Sequence, residues 1–257
     1  MTKVVLIGSG NVAQHLIKAF EEAKLQGADV ELVQVFSRNP ANVTPIISWS
    51  LVTSDLNNLK EADLYIICVS DDAIESVSAE LPFKNRLVVH TSGALPINSL
   101  HENNRKGVFY PLQSFTKNKP IVFKQIPICI ESENPTDFYL LQKVGKALSD
   151  KVIAINTEQR KALHVAAVFA NNFTNYLYGI ASKICQENQV PFEILAPLIQ
   201  ETAEKIQTLS PSEAQTGPAK RNDQKTIATH LDFLKEAHQK EIYQLLTQSI
   251  QENGKKL

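Results

Sequence analysis

The chain has 257 residues, of which 43% are hydrophobic and 21% charged, and its formal net charge is −1. That length suits one large domain or two modest ones with a buried core, and a balanced charge without a basic block argues against nucleic acid as a partner. Apolar runs such as DLYIICVS are too short to cross a bilayer, and no cationic leader opens the chain, so a cytoplasmic protein is expected.

Up to about residue 155, short β-branched runs alternate with helical segments. The runs are KVVLIG, VELVQVFS, ADLYIICVS, RLVVHTSG, KGVFYPL, IPICIES and KVIAIN, and the helical segments include residues 11–25 and 72–81. Strands and helices alternating at this spacing predict βαβ units on a mostly parallel sheet, and near-continuous apolar runs predict strands covered on both faces. After Asn156 the texture changes. The segment 157–189 carries apolar residues at helical period, followed by PFEILAPLIQETAEKIQTL, a polar loop SPSEAQTGPAKRND and a final helical stretch over 224–252. The expected organisation is an α/β domain over 1–155 and an all-α domain over 156–257. Cys68, Cys129 and Cys185 sit in apolar patterns without metal-ligand or disulfide spacing, and buried reduced thiols are expected.

Gly8-Ser9-Gly10-Asn11-Val12-Ala13 matches G-x-G-x-x-A after the first strand and at the start of a helix, the context that the dinucleotide fingerprint requires. The first glycine permits a tight turn, the second lets a pyrophosphate approach the backbone, and Ala13 allows the helix to pack closely. Free amides at the helix start then favour the anion. An NAD site places a carboxylate at the end of the second strand. Here VELVQVF ends in Ser37-Arg38, a hydroxyl and a guanidinium suited to a 2′-phosphate, so NADP (as NADPH) is expected, although Arg38 also reads as a solvated loop cation. Val69 and Ser70 follow the next strand, where the backbone passes the cofactor. Asp71 and Asp72 read as the acidic first turn of the following helix.

HTSG places His90, Thr91, Ser92 and Gly93 at another strand end, and YPLQSF supplies Tyr110, Gln113 and Ser114 nearby. In the helical half, His164, Asn171 and Asn172 can share one broad face of an otherwise apolar helix, as substrate ligands or as partners of one another. In TGPAKRND, Lys220 and Arg221 could clamp a carboxylate, while Asn222 or Asp223 could cap the next helix.

With these motifs together, the chain resembles the superfamily of 6-phosphogluconate dehydrogenase, β-hydroxyacid dehydrogenases, ketopantoate reductase and pyrroline-carboxylate reductase. HTSGAL, YPLQSF, HVAAVFANNF and TGPAKRND with His230 downstream further resemble bacterial Rossmann-like NADP oxidoreductases. The resemblance covers essentially the whole chain. It implies a Rossmann dinucleotide-binding domain, an all-α C-terminal domain like that of 6-phosphogluconate dehydrogenase, a homodimer through the helical domain and an active site in the interdomain cleft. One departure stands out. β-Hydroxyacid dehydrogenases carry a catalytic lysine about one turn before an asparagine, and the corresponding Ala167 and Val168 are not ionisable.

The expected function is reduction, by NADPH, of the carbonyl or imine of a small carboxylate-bearing metabolite. Gly8, Ser9, Gly10, Asn11, Val12, Ser37, Arg38, Val69 and Ser70 are expected to bind cofactor. His164, Asn172 and Ser92 would surround the reacting carbon, and Asn171, Tyr110, Lys220 and Arg221 would bind substrate. A non-catalytic NADP(H)-binding sensor is the main alternative, and a methylase or nucleotide-sugar enzyme on the same fold is another. No metal is expected.

Overall fold

The computed structural model describes residues 1–254. The β-branched runs form one eight-stranded sheet: β1 (Thr2–Ile7), β2 (Val30–Phe36), β3 (Val52–Thr53), β4 (Leu64–Ile67), β5 (Leu87–His90), β6 (Arg105–Pro111), β7 (Ile128–Ser132) and β8 (Val152–Ala154). Their spatial order is β3-β2-β1-β4-β5-β6-β7-β8. All pairs are parallel except β6 with β7, which run antiparallel. The two-residue edge strand β3 adds to the seven runs read from sequence.

Val4, Val5, Leu6 and Ile7 of β1 are all fully buried. Successive side chains on a strand point to opposite faces, so Val4 and Leu6 pack with Leu16, Ile17 and Phe20 of α1 (Asn11–Leu25). Val5 and Ile7 lie on the other face, in a cluster with Tyr65 and Ile67 of β4 and Ile74 of α2 (Asp71–Ala79). Each such aliphatic side chain contributes about 1.5–3 kcal/mol of burial. α3 (Pro135–Leu148) adds Leu141, Val144 and Leu148 to the first face.

The strand ends set the site. Ile7 pairs with Phe36 on one side and Ile67 on the other, and Ile67 pairs in turn with His90. The residues that follow therefore leave the sheet along one edge, where the chain order reverses between β1 and β4. Open α/β sheets bind ligands at such a switch point, outside the carboxyl ends of the strands.

By internal contacts the chain divides into two compact units, Met1–Asn171 and Asn172–Leu257. α4 (Thr157–Ala167) thus counts with the sheet, although the sequence texture changes near residue 156. The predicted long helix is not uniform: Val168–Phe173 forms a π-helical turn before α5 (Thr174–Glu187). Such turns are rare and frequent at functional sites. The second unit continues with α6 (Ala196–Lys205), the one-turn α7 (Pro211–Ala214) inside the expected polar loop, α8 (Gln224–Phe233) and α9 (Ala237–Gly254). The final stretch is therefore two helices, because Leu234 takes an extended backbone with ψ 132°. Cys68 and Cys129 are buried as expected, whereas Cys185 is partly exposed. Among the described residues no helix is long and apolar enough to cross a membrane.

Candidate active site

The glycine loop joins β1 to α1 under a tight constraint. Gly8 has φ +135°, and a Cβ placed on it would lie 2.2 Å from the Cys68 carbonyl oxygen. Any side chain would also force an unfavourable left-handed conformation. Gly8 N donates to Phe36 O at 2.9 Å and Cys68 N donates to Ile7 O at 2.7 Å, which knits three strand ends together. Gly10 differs. It is the N-cap of α1, with extended backbone and no side-chain cap, and a Cβ there would meet nothing within 4 Å. That open space lies in front of the first-turn amides of a 15-residue helix, an arrangement that favours a phosphate.

The space is part of a cleft of about 580 Å³ lined by Gly8, Ser9, Gly10, Asn11, Val12, Arg38, Val69 and Ser70, all expected from sequence. Asn11 faces it through its backbone, since its side-chain amide donates to Phe115 O at 3.0 Å. Sequence reasoning missed Asn39 and Asn42, whose signal was the polar SRNPAN after β2. It also missed Leu56 and Val77, apolar residues without a distinguishing pattern. Arg38 is exposed on this wall. The carboxylate lining the cleft, Glu80, follows the end of α2 rather than of β2. The residues present therefore fit a dinucleotide with a 2′-phosphate.

Two expected residues are placed otherwise. Ser37 does not line the cleft: it is 1% exposed, and its hydroxyl donates to Asn39 O at 2.7 Å. Ser92 is also buried. Its hydroxyl donates to Asp71 Oδ2 at 2.9 Å and accepts from the amides of Ala94 and Leu95 at 3.1 and 3.0 Å. One donor and two acceptor sites are then filled, so Ser92 holds a turn and has no bond left for substrate. Asp71, read as a first-turn acid, also anchors that turn.

The same turn carries Gly93. A Cβ there would lie 2.6 Å from His164 Nδ1 and 2.8 Å from the Tyr110 hydroxyl. Tyr110 lies next to the end of β6 and His164 on α4, yet the hydroxyl and Nδ1 are 3.2 Å apart, with the rings edge-on. Burial pushes the Tyr110 phenol above its ordinary range, with the Cys129 thiol adding to the effect. Thr91, two residues before Gly93, lines the cleft. Nearby, His90 is fully buried, its Nδ1 accepting from Ser92 N and its Nε2 donating to Pro96 O at 3.3 Å. Burial first, and the Arg160 charge second, lower its pKa from 6.5 to about 4.

Asn171 and Asn172 fall in the π-helical turn and are exposed. Lys220 and Arg221 are exposed on a tight turn closed by Asp223 N donating to Pro218 O. Asp223, not Asn222, caps α8 by accepting from Thr226 N at 3.1 Å. In the same unit, His230 Nδ1 lies 2.8 Å from the Tyr243 hydroxyl. Among the described residues no cluster of His, Cys, Asp or Glu is arranged to hold a metal ion.

The two glycines of the loop should separate cleanly. Gly10→Ala is expected to keep the wild-type melting temperature while weakening NADPH binding at least about tenfold, because its methyl enters only the cleft. Gly8→Ala should lose both, because its methyl meets the Cys68 backbone. Calorimetric melting with fluorescence titration of NADPH checks both, and a Gly10→Ala protein that binds normally refutes the placement. A second expectation concerns pH. The unfolded chain protonates His90 near 6.5 and the folded chain only near 4, so its contribution is complete above 6.5 and is lost as pH falls towards 4. The urea midpoint should fall across that window, and His90→Gln should flatten the fall.

Residues 3–93 match the family model described as "NADP oxidoreductase coenzyme F420-dependent", and residues 126–250 match "Domain of unknown function (DUF2520)". No curated protein matches the chain. Among solved structures, the "putative NADP oxidoreductase BF3122 from Bacteroides fragilis" is 38% identical, with 98% of each chain covered and a TM-score of 0.86. An imine reductase from Myxococcus stipitatus in complex with NADP+ shares the fold at 15% identity, covering 99% of this chain and 93% of that one, with a TM-score of 0.61. A pyrroline-5-carboxylate reductase from Coxiella burnetii does so at 14% identity, covering 99% and 98%, with a TM-score of 0.58. The cleft beyond Gly10 and the identity to the Bacteroides protein agree, and the chain belongs to the Rossmann-like NADP oxidoreductases, as an enzyme whose cofactor is NADP.

Proposed function

We propose that the chain is an NADPH-dependent reductase acting on the carbonyl or imine of a small carboxylate-bearing metabolite, with Tyr110 and His164 as its proton source. The observation that carries this reading is the 3.2 Å approach of the Tyr110 hydroxyl to His164 Nδ1, both rings resting against Gly93. Bound NADPH supplies the hydride, and the chain must then deliver one proton to the oxygen or nitrogen of the reduced bond. A buried phenol with a raised pKa stays protonated at neutral pH, so Tyr110 holds the proton to be given. His164, in hydrogen-bond contact with the phenol, returns it. This pair takes the place of the lysine absent at Ala167 and Val168.

In this reading the first-turn amides of Asn11 and Val12 hold the pyrophosphate, while Arg38, with Ser9, Asn39 and Asn42 beside it, meets the 2′-phosphate. Asn42 already donates to the Ser9 hydroxyl at 3.4 Å. Asn171 binds substrate from the π-helical turn that follows α4. Residues 156–257 act as a substrate and dimerisation domain in a cytoplasmic homodimer. Support for the dimer comes from large apolar side chains left exposed in that region, among them Ile194, Leu198, Phe233 and Leu245 at 57–65%.

Consumption of NADPH with pyruvate, glyoxylate, hydroxypyruvate and a cyclic imino acid tests the reaction. Tyr110→Phe and His164→Gln are each expected to lower kcat by about 10²–10⁴ while leaving the Kd for NADPH unchanged. Wild-type turnover in both variants would remove the pair from the chemistry. Arg38→Ala should weaken NADPH by about tenfold without affecting NADH. An unchanged NADPH-to-NADH preference would return Arg38 to the role of a solvated cation.

A further inference from the structure

Behind Tyr110 and His164 stands a buried cation. Arg160 lies on α4, one turn before His164, and is 0% exposed. Its Nη1 pairs with Glu131 of β7, and its Nη2 donates to the Leu95 carbonyl at 2.5 Å. Glu131 also accepts from the Thr157 amide and hydroxyl at 3.0 and 2.9 Å, tying β7 to the first turn of α4. The Nε of Arg160 has no hydrogen-bond partner and is a buried, unsatisfied donor.

Such a group is a poor device for stability. A guanidinium loses its whole hydration shell on burial, and apolar residues of equal volume commonly serve as well as a buried ion pair. An unmet donor adds to the cost. What the arrangement does fix is position. Leu95 closes the turn in which the Ser92 hydroxyl accepts from the Ala94 and Leu95 amides. Gly93 of that turn lies against both Tyr110 and His164. One guanidinium therefore holds the backbone on one side of the pair and belongs to the helix on the other.

We propose that Arg160, clamped by Glu131, is a positioning residue for the Tyr110–His164 pair, setting both the helical turn that bears His164 and the Gly93 turn against which the two rings rest. This rests on the reading of that pair as the proton source. Arg160 also acts on Tyr110 through its charge. The groups bearing on the phenol are Cys129 of β7, Asp71 of α2, and Arg160 and His164 of α4; Cys129 and Asp71 raise its pKa, and Arg160 lowers it.

The test needs no substrate. In the full chain, the Tyr110 phenol is titrated by ultraviolet difference against Tyr110→Phe, and His164 Nδ1 is followed by nitrogen NMR. Arg160→Met is expected to move the phenol titration to higher pH and to shift the Nδ1 resonance to its position in Tyr110→Phe. Arg160→Lys should restore the titration but not the resonance, since an ammonium supplies charge without the two-pronged hold. Wild-type titration and resonance in a folded Arg160→Met protein would overturn the proposal. Should that variant fail to fold, Glu131→Gln carries the same expectation for the resonance, and an unchanged Nδ1 there overturns it equally. If Tyr110→Phe keeps wild-type turnover while the spectra still depend on Arg160, the proton-source reading fails and the positioning stands.

Discussion

The structure turns on the approach of Gly8 to the Cys68 carbonyl, which a single added carbon would bring to 2.2 Å. The ends of β1 and β4 are neighbours in the sheet but distant in sequence, and the chain order reverses between them. Only a residue without a side chain lets the two ends close while α1 starts immediately afterwards. Given that closure, the first amides of α1 open onto the cleft, and Arg38 and Val69 become two of its walls. The cleft is a consequence of the packing of two strand ends, not an addition to it.

A second glycine does comparable work further along the same sheet edge. Gly93 follows β5 as Gly8 follows β1, but its neighbours are side chains, Tyr110 and His164. The first close approach shapes a space for a ligand, and the second brings together two titratable rings 54 positions apart in sequence. Around the second, polar groups are paired throughout the turn: Asp71 with Ser92, Ser92 with the amides beyond it, and His90 with Ser92 and Pro96. A buried network so connected holds one geometry, which is the requirement for placing a proton donor.

The strand runs and the glycine loop were legible in the sequence because each demands particular residue types at a fixed spacing. The Tyr110–His164 contact was only half legible. Tyr110 and His164 each stood out as polar residues in apolar surroundings, but nothing local links a strand end to a helix so far along the chain. Ser92 looked available because a hydroxyl beside a glycine does not announce that its three bonds are filled. Arg160 carried no signal of its own, because periodicity does not reveal which charged residue is turned inward. The π-helical turn at Val168–Phe173 left no mark either, since its bonding pattern requires no special residue. The break at Leu234 was hidden by apolar spacing that continues across it.

The side chain of Asn11 reaches the Phe115 carbonyl, so Asn11 meets the cleft at the start of α1 with its main-chain amide. An amide is carried by every residue except proline, so substitution along the first turn of α1 cannot readily delete these donors once the glycines are kept. The Tyr110–His164 contact is built from side chains and has no such protection.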